Sequence, residues 1–103
     1  MSNLEILWDT YDFILNKIVS LEDEFSHLID NAEVDSAKFK KLCTQLNNAY
    51  GKQLLTIREL KDFYKNNPKD ITKERRVAVE TFEELEEVTE ELKQVIEENI
   101  SDL

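Results

Sequence analysis

The chain has 103 residues and a net charge of −10, with 41 % apolar and 35 % charged residues, one Gly, one Pro and one Cys. That length is one domain with room for a single core. The scarcity of turn formers excludes sandwiches and barrels, which need a turn about every 8–12 residues, and the acidic balance argues against binding nucleic acid or an anionic membrane.

A lone Cys43 rules out an internal disulfide and suits a reducing compartment. Glu5, Asp9 and Asp12 interrupt any leader-like apolar run. No stretch approaches the ~18 uncharged apolar residues of a membrane span. The expectation is a soluble, cytoplasmic, all-α protein.

The first segment opens with Ser2 and Glu5 at the spacing of a capping box. Leu4, Leu7, Tyr11, Ile14, Ile18, Leu21, Phe25 and Leu28 follow at alternating steps of three and four, an a/d seam sustained over four heptads. Trp8, Leu15 and Ile29 fall on the adjoining e position and widen the stripe, which suits a bundle better than a two-stranded zipper. This predicts a helix over about residues 3–31.

"DNAEVDSAKF" is the first break. Val34 and Phe39 around an Asp35 or Ser36 N-cap fit a hydrophobic staple. The second helix is predicted over about residues 36–66, with Phe39, Leu42, Leu46, Tyr50, Leu54, Ile57, Leu60 and Tyr64 as its stripe. Gly51 costs about 1 kcal/mol relative to alanine. The apolar phase nevertheless runs through it unchanged, so one continuous helix is expected.

"NNPKD" is the second break, enforced by Pro68. Asp70 or Thr72 is placed to cap a third helix over about residues 71–101. Ala78, Phe82, Leu85, Val88, Leu92, Val95, Ile96 and Ile100 form its apolar face. Three helices of about 45 Å each, joined by short turns, predict an elongated up-down-up three-helix bundle. The whole chain, 1–103, is read as this one domain. The long first seam also suits an antiparallel pairing of two copies, so a homodimer remains an alternative.

Charge is laid out in blocks. Residues 1–35 hold nine acids and one base, residues 36–79 four acids and eleven bases, and residues 80–103 ten acids and one base. A basic middle helix thus lies between two acidic ones, a pattern that guides pairing and register. Ten negative charges remain over. In the third helix Glu80/Glu84, Glu83/Glu87, Glu86/Glu90, Glu87/Glu91 and Glu98/Asp102 are like charges one turn apart. Together they cost about 1–2 kcal/mol. Apolar packing, the basic helix or a cationic partner must offset that.

Sites for chemistry are scarce. Glu24 and His27 have the Glu-x-x-His spacing of a di-iron bundle, but no second histidine completes such a site. A phosphotransfer histidine would be followed by Lys and Gly, and "HLIDNA" has neither. A helical chorismate mutase needs arginines for the substrate's carboxylates, and the first helix has none. Cys43 beside Leu42 reads as a packed thiol. Lys61, Lys65, Lys69, Lys73, Arg75 and Arg76 form the only basic patch, interleaved with Phe63 and Tyr64. No glycine-rich phosphate loop or metal-ligand cluster is present, and no catalytic residue, cofactor or metal is expected.

The sequence reading is therefore a non-enzymatic protein-binding module: a small regulator, an inhibitor or a complex subunit. Its partner is another protein with a basic surface. The residues expected to meet it are Phe13 and Phe63, aromatics off the main stripes, and Glu83, Glu84, Glu87, Glu90 and Glu91 of the acidic helix. The alternative is an acidic decoy for a DNA- or RNA-handling protein. One charge per ~4 Å of helix approaches single-strand density, ~3.4 Å, but not duplex density, ~1.7 Å.

Overall fold

The computed structural model describes residues 3–30 and 36–101. Among them the backbone is helical except at 67–75 and at Thr81, and no strand occurs. The helices are α1 (Asn3–Asp30), α2 (Ser36–Asn66), α3 (Arg76–Glu80) and α4 (Phe82–Ser101). The molecule measures 49 × 21 × 21 Å. The capping box at Ser2 and the staple around Val34 and Asp35 lie outside the described residues.

α1 and α2 carry the expected stripes. Every seam residue of α1 from Leu4 to Leu28 is buried or half-buried, as is every stripe residue of α2 from Phe39 to Tyr64. The seam widens at Trp8, which is buried, but not at Leu15, which is 41 % exposed. α2 runs unbroken through Gly51, and a Cβ there would meet only the Cε of Lys93, at 3.5 Å. Preserved apolar phase outweighed the glycine's propensity cost.

The predicted third helix needs two corrections. It does not begin at residue 71 under an Asp70 or Thr72 cap; α3 begins at Arg76, and its N-cap residue, Arg75, makes no side-chain capping bond. The competing interactions lie across the bundle. The Arg75 guanidinium donates to both carboxylate oxygens of Asp12, at 3.1 and 2.7 Å, and stands 4.3 Å from the centre of the Trp8 ring. Ile71 packs on the same aromatic cluster. The chain therefore crosses this end of the molecule before it turns into helix.

The second correction is at Thr81, where one rod becomes two helices and the count among described residues becomes four. The Thr81 hydroxyl donates back to the carbonyls of Val77 and Ala78, at 2.9 and 3.1 Å, and its N–H reaches the same two oxygens. Thr10, Thr44, Thr56 and Thr89 back-bond to the i−4 carbonyl within unbroken helices, so what sets Thr81 apart is the sharing of its N–H and hydroxyl between the i−4 and i−3 carbonyls, which tightens the turn. The ladder resumes at once, because the Leu85 N–H donates to the Thr81 carbonyl at 2.8 Å.

α2 is central. α1 and α4 each pack along it, and their own backbones scarcely approach one another. The core divides into two clusters. One is aliphatic, with Ile14, Ile18, Leu21, Leu42, Cys43, Leu46, Ala49, Tyr50 and Ile96. The other is aromatic-rich, with Trp8, Tyr11, Ile57, Leu60, Tyr64 and Phe82. On α2 the buried Gln53 lies between them, one turn from Tyr50 and one from Ile57.

Candidate protein-binding surface

α4 presents three different sides. The side toward α2 is where the charge blocks meet. Arg58 donates from Nε to Glu86, at 3.1 Å, and from its terminal nitrogen to Glu90, at 2.5 Å. Lys61 donates to the other Glu86 oxygen at 2.7 Å. One guanidinium thus spans two like charges that sit a turn apart. The hydrogen bonds from Lys61 and then Arg58 hold the Glu86 carboxyl below the usual carboxylate range, and the bond to Glu86 raises Lys61. Arg58 and Glu90 are about half exposed, so solvent screening limits such pairs to roughly 0–1 kcal/mol each.

The outward side carries Glu83, Glu84, Glu87 and Glu91. All four are exposed, and none forms an ion pair with a described residue. Of the five acids expected to face a partner, Glu90 is therefore engaged by Arg58 and the other four stand in solvent. Glu83 is close enough to Lys61 to help raise its pKa.

The third side faces α1. Val88, Leu92 and Val95 belong to the predicted apolar stripe, yet they are 51, 40 and 53 % exposed. Leu92, Val95 and Ile96 form one wall of a groove of about 460 Å³. Glu22, Phe25 and Ser26 of α1 form the other wall, and Leu46 and Tyr50 of α2 its floor. The Tyr50 hydroxyl donates to Glu22 at 2.7 Å, and burial, aided by that carboxylate, pushes its phenol well above the usual tyrosine range. The sequence signal for this groove was present but unread: the α4 stripe spans more of the helix circumference than one neighbouring helix can cover.

The two aromatics separate. Phe13 projects from α1, 71 % exposed, and makes no ring contact with a described residue. Phe63 is half-buried, edge-on to Tyr64 at 5.3 Å and packed on the aromatic cluster. Its outer part, with Ile6 of α1, lines a separate shallow depression.

His27 and Glu24 are exposed, and no three His, Cys, Asp or Glu among the described residues converge as metal ligands. Cys43 is fully buried, and burial raises its thiol pKa, the opposite of nucleophile activation. Within the basic patch Arg75 is clamped on Asp12 and Trp8, and Lys61 on Glu86. No described helix is long and apolar enough to cross a membrane.

No protein-family model matches the chain, and no curated protein or solved structure matches it.

Proposed function

We propose that this chain is a non-enzymatic interaction module, a small regulator, inhibitor or complex subunit, that binds a protein with a basic surface through the acidic face of α4. In this reading α3 and α4 together make the third arm of an elongated up-down-up bundle. The contacts of Trp8 with Tyr64, Glu22 with Tyr50, Lys61 with Glu86 and Gly51 with Lys93 support that order. Its site is cytoplasmic, in keeping with the single buried thiol.

One observation carries the reading. Glu84, Glu87 and Glu91 form no ion pair with a described residue and lie exposed beside the exposed Val88, Leu92 and Val95. A helix that needed only solubility would not combine like-charge repulsion with exposed valines and leucine on adjoining sides. Phe13 and the outer part of Phe63 supply secondary contacts in this proposal.

The test is capture from the source cells' lysate at low and high salt. The native chain serves as one bait, the Glu84→Gln, Glu87→Gln, Glu91→Gln variant as the other. The native bait should retain a partner with only moderate salt sensitivity, and the variant should lose it. Identical capture by both baits would remove the acidic face from the function. Steep loss with salt, and a nucleic-acid-handling partner, would favour the decoy reading.

A further inference from the structure

Resting on that reading, we infer that the groove between α1 and α4 seats a single amphipathic α-helix of the partner, with an apolar stripe flanked by Lys and Arg. Both walls are apolar beyond the groove's own lining. On α1, Leu15, Val19, Glu22 and Ser26 follow at steps of four, three and four, so the exposed Leu15 and Val19 extend the wall that Glu22 and Ser26 form. On α4, Val88 precedes Leu92 by four residues and Val95 by seven, which extends the opposite wall in the same way. The strip runs for about three turns on α1 and two on α4, enough for an i, i+3, i+4, i+7 set of anchors.

Charge selects the occupant. The rim is acidic on both sides, with Glu22 and Asp23 on α1 and Glu84 and Glu91 on α4. Each wall helix carries one Lys, and neither faces the groove. Lys17 lies two residues from both Leu15 and Val19, hence on the far side of α1. Lys93 pairs with Glu97 and rests against Gly51 of α2. A second copy fits less well, because its exposed Ile6 and Phe13 lie on acidic α1 and its exposed Val77 on the five-residue α3, too short for such a stripe. Its own groove is rimmed by acids, and the outward α2 residues Thr44, Asn48, Leu55, Asp62 and Asn66 form no apolar stripe. A foreign helix with basic flanks meets both requirements, and its entry makes a four-helix arrangement around the open face.

The experiment uses the full chain and three labelled peptides of about 20 residues. One has a Leu stripe with Lys and Arg flanks, one the same stripe with Glu flanks, and one the basic composition scrambled. Fluorescence anisotropy should show saturable binding of the first alone, weakened about tenfold or more by Val88→Gln with Val95→Gln. These positions are half exposed, and circular dichroism confirms that the variant stays folded. Asn48→Ala, on the outward side of α2, should leave binding unchanged. Equal binding of the scrambled peptide, indifferent to the valine substitutions, overturns the groove while the acidic face survives as a docking surface. Absence of binding by every basic peptide overturns the groove outright. Sedimentation completes the test: a dimer that the valine substitutions dissolve would assign the groove to a second copy and overturn the proposal.

Discussion

The two ends of this molecule are built from the same three segments and close differently. At one end the Trp8 indole stacks on Phe82 at 5.7 Å, lies 6.3 Å from Tyr64 and donates its N–H to the Tyr64 hydroxyl at 2.9 Å. Arg75 covers the outer face of the ring. Each of α1, α2 and α4 contributes a ring, so the space between α1 and α4 is filled. At the other end the corresponding wall residues are Val88, Leu92 and Val95 against Leu15, Val19, Glu22 and Ser26, and the space stays open. Aromatic side chains bury about 150–250 Å² each, whereas valine and serine cannot reach across the same gap. The lesson is that a continuous apolar stripe does not guarantee closure. Side-chain volume at each level decides it.

The strongest way to break this contrast is Trp8→Ala. It should cost about 3–5 kcal/mol in chemical denaturation, because it removes a ring shared by three helices and leaves the Tyr64 hydroxyl without its donor. A loss under about 1 kcal/mol would mean that this end is no more closed than the other.

Alkaline pH probes the open end. Tyr50 has a raised folded-state pKa, so its contribution is complete below the ordinary tyrosine value near pH 10 and is lost as pH rises above it. The slope is at most about 1.4 kcal/mol per pH unit for one proton. Tyr11 is raised in the same sense by burial and then by Asp12. Tyr50→Phe should flatten the alkaline limb measured by thermal unfolding. An unchanged limb would place the titration elsewhere.

Smaller effects sharpen the boundary between the ends. Gln53 is 3 % exposed, and its Oε1 has no hydrogen-bond partner among the described residues. Gln53→Met should therefore stabilise by about 1 kcal/mol, since an unsatisfied buried acceptor is replaced by an apolar group of similar shape. Destabilisation would show that the amide is satisfied in solution. Gly51→Ala should add about 0.5–1 kcal/mol, because the helix is continuous there and the new methyl meets Lys93 only at ordinary contact distance. No gain would indicate that α2 is interrupted at this position.

Much of the fold was legible because periodicity reports which residues share a helix face. The seams of α1 and α2 and the continuity through Gly51 followed from spacing, and the bounds of α2 from its cap residues and Pro68. The start of α3 did not. Arg75 looks like a surface base in sequence, and its pairing with Asp12, 63 residues away, is invisible there. Thr81 looked like an ordinary residue in a helical run, because the tightened turn at its N–H is a backbone geometry that residue type does not report. For the candidate surface, the excess of acid on α4 was readable from composition. Which acids are paired was not: Glu86 and Glu90 meet Arg58 only through the packing of α4 on α2.

The sequence by itself determined that the chain is helical, where α2 begins and ends, and that a basic segment lies between two acidic ones. These are properties of spacing, of cap and breaker residues such as Pro68, and of charge counted along the chain. Only the tertiary structure decided which face of α4 remained uncovered, which carboxylates were left in solvent, and that the space between α1 and α4 is filled at one end and open at the other. Those outcomes depend on the volumes and angles at which separate helices meet, and local periodicity carries no record of them.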